Sequence, residues 1–527
     1  MKHVSYLLIC LCLLVLSTTL AAKEKKAANP IRTIVADYHQ TKGDLNDFFK
    51  QCVGAGRAGE GLRADWQQQL LEIKKECDFK QIRFHALFHD EMGVYREDEN
   101  GVHYNWQYID ALYDYLVSID VKPFIELAFM PNQLSSGPET IFWWRGNVTP
   151  PKDHNKWEML VKNFAEHLKE RYGEDEVATW YFEVWNEPNL NENGFFTGTQ
   201  QDYFKLYKHS AQGVKAASPR FRIGGPATAG CAWVPELMEY CKKENVALDF
   251  ITTHHYGVDG YLDEYGAYQL RMPADADGLP NTIAKTVQTV RNSDYPKAEV
   301  HFTEWSSSYS PRDPVHDTYQ NATIILNALR KVNPAPESMS YWTFTDIFEE
   351  PGTVNTPFHG GFGLMNMQGV KKPTYFAYRF LNELGKKELK TNDTDSWVCT
   401  NGQGDVQALF WNLTILPQDG VPNQSFYKRD LPPANTHPTR LSLNNLPKGK
   451  YMKEVYRVGY KLNDAYTTYY EMGSPTQLTK LQVETLKKMT SCAPVATEII
   501  NIDNGAYEEE FAVRDNDVFF VKLKKID

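Results

Sequence analysis

Between about residues 50 and 385 the chain alternates two hydrophobic patterns. Short apolar runs rich in β-branched and aromatic residues give way to longer stretches whose apolar positions recur every three or four residues. The short runs predict buried strands at Gln51–Gly54, Gln81–His85, Lys122–Ala128, Thr179–Trp185, Phe221–Gly224, Leu248–His254, Glu299–Thr303 and Ser338–Phe344. The longer stretches predict amphipathic helices between them, Lys156–Arg171 being the clearest. Eight strands alternating with helices over roughly 300 residues predict an α/β fold, a closed (β/α)8 TIM barrel. A doubly wound open sheet is the alternative. It usually carries a Gly-rich phosphate loop after its first strand, and Val53-Gly-Ala-Gly-Arg57 has only part of that spacing, so a tight turn is the simpler reading of these glycines.

Past about Leu384 the texture changes. Short alternating runs such as Val406–Asn412 and Asp517–Leu523 are separated by Pro- and Asn-rich turns such as Leu431-Pro-Pro-Ala-Asn435. They predict a β-sandwich appended over 386–527, interrupted by a helix at Thr476–Thr490. The barrel unit is assigned to 31–385, and within it 31–47, beginning with the extended Ile31–Val35, is expected to join the sandwich as an edge strand.

The first residues carry a basic start, an apolar stretch Leu7–Leu16 and small residues through Ala22. The apolar stretch is shorter than the roughly 20 residues that span a bilayer. Residues 1–22 therefore read as a signal peptide, and the mature protein is expected to be exported, periplasmic or secreted, with no membrane attachment. Six cysteines remain, Cys52, Cys77, Cys231, Cys241, Cys399 and Cys492. Their spacing fits neither a disulfide framework nor a zinc site, so most read as buried free thiols, with Cys231 and Cys241 a candidate pair after export.

A net charge of −11 without a long Lys/Arg run argues against nucleic acid and anionic membranes as partners. Aromatic residues make up 13% of the chain, with 12 Trp and 30 Tyr, which suits packing against the C–H face of a sugar; large barrel and sandwich cores account for many of them. The expected partner is a neutral oligosaccharide or glycoside. The pattern sets no oligomeric state.

Two glutamates carry the candidate chemistry. Glu187 follows the fourth predicted strand in Trp180-Tyr-Phe-Glu-Val-Trp-Asn-Glu-Pro-Asn189, and Glu304 ends the seventh in Val300-His-Phe-Thr-Glu-Trp305. Strand ends of a barrel form its active face, and Pro188, lacking an N–H, forces the backbone out of the sheet beside Glu187. Two carboxylates facing each other across one pocket are what cleavage of a glycosidic bond requires. Asn186 offers an amide to a sugar 2-hydroxyl. Glu183 lies deeper in its strand, which favours a paired structural role, and Glu126 is a further strand-borne acid. His254-His255 superficially suggests a metal, but adjacent strand residues point to opposite faces, and neither a metal nor another cofactor is expected.

Trp185-Asn-Glu-Pro-Asn189, His301-Phe-Thr-Glu-Trp305 with Ser308–Pro311 and Pro314–Asp317, and Tyr341–Glu350 with Phe358–Gly363 closely resemble glycoside hydrolase family 39, the family of β-xylosidases and α-L-iduronidases. Asp90–Tyr95, Phe129–Pro131 and Gly146–Pro151 add to the likeness, which runs from about Phe48 to the last barrel helix. The resemblance implies a retaining, double-displacement mechanism, with Glu187 as acid/base, Glu304 as nucleophile and Asn186 at the 2-hydroxyl. It also implies sugar contacts at His85, Phe129, His254, Tyr256, Trp342, Glu349 and Glu350. The chain departs from the pattern at Phe84 and Ala86, where glycine is usual, and at His255, where a smaller residue is usual. The expected activity is exo-hydrolysis of β-xylosidic bonds in short xylo-oligosaccharides. An L-arabinose or uronic acid glycone, or a carbohydrate-binding protein without turnover, are the alternatives. A uronate would need a cationic clamp, for which Arg57, Arg145 and Arg312 lie in candidate loops.

Overall fold

The computed structural model describes residues 31–190 and 194–526, so the expected signal peptide lies outside the described residues. Eight parallel strands close into a barrel: Cys52–Arg57, Gln81–His85, Lys122–Leu127, Tyr181–Val184, Arg222–Ala229, Phe250–Tyr256, Glu299–Ser306 and Ser338–Tyr341. The first strand continues through Val53-Gly-Ala-Gly-Arg57 rather than turning there. Its glycines clear space instead, since a Cβ on Gly54 would lie 2.3 Å from the Trp342 ring and one on Gly56 would lie 2.2 Å from the Glu60 carboxylate.

The helices outside the barrel follow the apolar spacing of the sequence. His154–Tyr172 begins where the Asp153 side chain accepts from the Asn155 and Lys156 amides and ends at Gly173, and it buries the stripe Trp157, Leu160, Val161, Phe164 and Leu168. Its neighbour Gln200–Ala217 approaches closely because Gly213 has no side chain; a Cβ there would meet the Glu158 carbonyl at 2.7 Å.

Inside the barrel the side chains stack in layers. At the bottom Cys52, Phe124, Tyr181 and Phe250 form an apolar plug with the His301 ring against it. Two residues further along the second, third and fourth strands, the same inward face carries Arg83, Glu126 and Glu183, all fully buried. The plug closes one end, so the charged layer can be reached only from the C-terminal mouth.

The second unit is one nine-stranded sheet, in the order Ala496–Ile502, Gly449–Val458, Val518–Lys525, Val406–Trp411, Ser396–Thr400, Lys387–Thr391, Arg32–Asp44, Thr436–Asn444, Tyr507–Arg514. It folds over on itself, bringing Phe410 to 5.4 Å from Phe511 and Phe511 to 5.5 Å from Phe519. Arg32–Asp44 is an interior strand, not the edge strand expected, antiparallel to Lys387–Thr391 and parallel to Thr436–Asn444. Alternation along the strands divides two cores. Val398, Phe410, Phe519 and Val521 fill the sandwich, whereas Trp397, Trp411, Val518 and Phe520 turn to the barrel, where Phe520 stacks on Phe380 at 5.0 Å.

The six described cysteines are all free thiols, Cys231 and Cys241 included, so the candidate pair is not formed. No helix among the described residues is long and apolar enough to cross a membrane.

Candidate active site

Past the fourth strand, Trp185 and Glu187 both adopt positive φ, at 72° and 43°. This backbone region costs a non-glycine residue roughly 1–3 kcal/mol and persists only where neighbours hold it. Here the Glu187 amide donates to the Ala227 carbonyl at 2.8 Å, Asn189 exchanges two hydrogen bonds with the Ala229 backbone, and Trp185 Nε1 donates to the Phe195 carbonyl. The turn thus swings the Glu187 carboxylate back over the mouth.

Glu304 lies within the seventh strand rather than at its end. The strand slips register against both neighbours, between Phe302 and Trp305 on one side and opposite Thr253/His254 on the other. A slip of this kind lets two successive residues face the same way. Thr303 reaches inward to donate to Glu183 Oε1 at 2.7 Å, and Glu304 also points inward, receiving Arg83 Nη1 at 2.8 Å and the Tyr256 hydroxyl at 2.7 Å. Oxygens of Glu187 and Glu304 come within 4.8 Å of each other, with His254 completing the trio. Both carboxylates are nearly buried, with 8% of Glu187 and 5% of Glu304 exposed.

Arg83 organises the floor beneath them. Its guanidinium contacts Glu183 Oε2 at 2.5 Å, Glu126 Oε2 at 2.8 Å, Glu304 Oε1 at 2.8 Å and Asn186 Oδ1 at 2.9 Å. Glu126 also holds His85 Nδ1 at 2.7 Å, and His85 Nε2 turns to Glu350 at 3.2 Å. The residue after this histidine, Ala86, has a φ of 66°, a conformation easier for glycine. Neither Arg83 nor Thr303 was singled out from the sequence. The signal for Arg83 is a charge two residues before His85 in a strand predicted to be buried; the slip that turns Thr303 inward has no sequence signal.

The other expected sugar contacts divide into three positions. Tyr256, Trp342 and Glu350 stand around the glutamate pair, Trp342 with its ring 4.9 Å from that of His85 and 5.6 Å from the Arg83 guanidinium. Phe129 and His254 have no exposed surface and form a layer behind. Phe129 packs among Trp185, Trp144 and Phe142, and His254 sits beneath Glu187 with Nδ1 at 2.9 Å from Oε1. Glu349 turns away from its neighbour to Arg57 at 3.0 Å and Arg63 at 2.8 Å. His254 and His255 do not converge: among the described residues, the grouping that has metal-ligand spacing joins His254 to the two glutamates. Of this trio, Glu304 accepts from Arg83 and Tyr256, and His254 Nδ1 faces Glu187 Oε1.

Protonation follows from burial and neighbours. Burial raises the Glu187 carboxyl to about 7, against the lowering pull of Arg83 and His85. Burial also lifts Glu350 to about 7, moderated by His85. Burial alone would lower His85, but Glu126 and Glu350 outweigh it and bring the imidazolium to about 10. For His254 burial outweighs the raising pull of Glu304 and Glu183 and lowers the imidazolium to about 4.

A closed barrel whose mouth holds two buried carboxylates less than 5 Å apart, one of them carrying a proton near neutral pH, defines a glycoside hydrolase. The chain belongs to glycosyl hydrolases family 39, whose family model matches residues 32–503. It is 36% identical over 501 residues to a β-xylosidase of Caldicellulosiruptor saccharolyticus, spanning 94% of this chain and 99% of that one. Among solved structures it is similar to the GH39 enzyme from Xanthomonas axonopodis pv. citri, with a TM-score of 0.92 and 39% identity over 96% of this chain and 100% of that one. It is likewise similar to a monomeric β-xylosidase from Caulobacter crescentus CB15, with a TM-score of 0.90 and 41% identity over 94% of this chain and 100% of that one.

Proposed function

We propose that the protein is a retaining exo-glycosidase that releases β-linked xylose from short xylo-oligosaccharides, with Glu304 as nucleophile and Glu187 as acid/base. The single observation that carries this reading is the approach of the two carboxylates to within 4.8 Å. Retaining enzymes hold them roughly 5–5.5 Å apart, and inverting enzymes need at least about 6.5 Å to admit a water. Glu304, oriented by Arg83 and Tyr256, attacks the anomeric carbon as the glycosidic bond breaks, and Glu187 gives its proton to the departing oxygen. Esterification removes the charge of Glu304, so Glu187 gives up a proton more readily than before. Ionised, it takes a proton from a water that attacks the same carbon, the ester bond breaks, and the configuration is retained. Asn186, oriented by Arg83, is the partner of the 2-hydroxyl.

A neutral glycone is supported by the state of two cations, the loop arginine Arg57 and its neighbour Arg63. Arg57 is engaged by Glu60, Glu91 and Glu349, and Arg63 by Asp65 and Glu349, which leaves this pair matched by carboxylates rather than turned to a uronate. The β-xylosidase relatives support xylose within the neutral sugars. Residues 1–22 support action outside the cytoplasm, periplasmic or secreted, which N-terminal sequencing of the mature protein tests.

A panel of nitrophenyl glycosides tests the glycone, and proton NMR of the first sugar released tests the stereochemistry. The reading expects β-xyloside turnover with β-xylose appearing first. Initial α-xylose overturns retention, faster turnover of an arabinoside or uronide overturns the glycone, and binding with no turnover returns the protein to a lectin-like role.

A further inference from the structure

A chain of hydrogen bonds runs from the ion pair of the floor to Glu187. Arg83 Nε donates to Glu183 Oε2 at 2.5 Å, and Glu183 Oε1 accepts the single hydroxyl proton of Thr303 at 2.7 Å. Thr303 Oγ1 can then only accept from His254 Nε2, 3.1 Å away, so that nitrogen carries the ring proton. The opposite nitrogen, Nδ1, is 2.9 Å from Glu187 Oε1. Two acceptors at that distance repel unless a proton lies between them, and a neutral ring with its proton on Nε2 has none to offer.

We propose that Thr303 is a positioning residue for the acid/base: by holding His254 as the Nε2–H tautomer it makes Nδ1 an acceptor only, which keeps the resting Glu187 carboxyl protonated. This role presupposes that Glu187 is the proton donor. Burial independently favours the neutral His254 ring and the protonated Glu187. The charged and titratable groups facing Glu187 come from six elements. The second strand brings Arg83 and His85, the third Glu126, the fourth Glu183, the sixth His254 and Tyr256, the seventh Glu304, and the segment after the eighth Glu350. Arg83 and His85 pull against protonation and Glu126 favours it. Of these groups, His254 is the one hydrogen-bonded to Glu187, so its tautomer sets the direction of that bond.

The proton balance through the cycle is simple. Glu187 gives its proton to the leaving oxygen in the first step and recovers one from the attacking water in the second, while His254 and Thr303 keep theirs. Between the steps the ionised carboxylate faces a bare nitrogen, which makes it a stronger base toward water than it would be beside a donor.

The test compares pH profiles of kcat/KM on a substrate with a poor leaving group for the wild type, Thr303→Val, Thr303→Ser and Glu187→Gln. Valine cannot accept from Nε2, so the ring proton is free to move to Nδ1 and stabilise ionised Glu187. The basic limb should then shift by about one pH unit or more toward acid, with about tenfold less activity at pH 8, and serine should restore it. An unmoved limb in Thr303→Val overturns the role of Thr303 whatever happens to the rate. A limb that survives in Glu187→Gln overturns the assignment of Glu187 instead. Should the valine variant fail to fold, neutron diffraction of the wild type near pH 6 gives the answer. Deuterium on His254 Nε2 and on the Glu187 carboxyl is expected, and deuterium on Nδ1 refutes the tautomer.

Discussion

Truncating Glu187 to Ala separates the two halves of the catalytic cycle. Arg83 and Tyr256 still hold Glu304, so attack on the anomeric carbon survives when the leaving group needs no proton. A dinitrophenyl xyloside should therefore keep its kcat/KM within about tenfold. A disaccharide, whose departing alkoxide must be protonated, should lose about 10²–10⁴-fold, the usual worth of general acid catalysis. That corresponds to about 3–5 kcal/mol in the barrel's hold on the transition state. Hydrolysis of the glycosyl-enzyme also loses its base, so a burst of phenolate should precede a slow steady rate, and azide should accelerate that rate by entering the space left by the carboxylate. The pH dependence supplies a second readout. With Glu187 near 7, the protonated form is present below that pH and is lost as pH rises through it, roughly tenfold per unit. The wild-type profile on the disaccharide should fall on the alkaline side of about 7, and the variant should lack that limb. Equal losses on both substrates, or a persisting limb, refute the acid role.

Other variants probe the groups beneath and behind the site. Glu304→Ala should abolish turnover of every glycoside, activated or not, and a 2-fluoroxyloside should label Glu304 in the wild type by mass spectrometry; a label elsewhere removes the nucleophile assignment. Arg83→Met leaves Glu126, Glu183 and Glu304 buried without their shared cation, at a cost of about 3–5 kcal/mol, read as a lowered Tm; an unchanged Tm contradicts the reading of the charged layer. Phe380→Ala removes the ring stacked on Phe520 between barrel and sandwich, and calorimetry should show about 3–5 kcal/mol less stability with kcat near the wild-type value.

The barrel was legible because its strands are short runs rich in β-branched and aromatic residues and the apolar positions of its helices repeat every three or four residues. Four strands run past the ends expected from their pattern, the first by three residues to Arg57, the fifth by five to Ala229, the sixth by two to Tyr256 and the seventh by three to Ser306, because their closing residues are mostly small or polar and do not continue the apolar run. The glutamate pair was legible from its setting, each acid standing beside the aromatic residues of a strand, although Glu304 lies inside its strand and Glu187 beyond it. Arg83 was hidden because a lone cation in a strand has no periodic signature, and Thr303 because alternation places it opposite Glu304 until a register slip turns both inward. Glu349 and Glu350 look equivalent in sequence, yet Arg57 and Arg63 draw one aside and His85 keeps the other. The interior place of Arg32–Asp44 depends on pairing with distant strands, which local pattern does not encode.

That strand also sets a timetable. Arg32–Asp44 leaves the ribosome before any barrel strand, but its neighbours Lys387–Thr391 and Thr436–Asn444 follow only after the whole barrel has been made. At about 5–20 residues per second the segment waits tens of seconds with its ladder groups unmatched. The C-terminal unit is therefore completed by a strand made before the barrel pairing with strands made after it, and a nascent polypeptide halted anywhere in the barrel exposes an open strand that invites association with another copy.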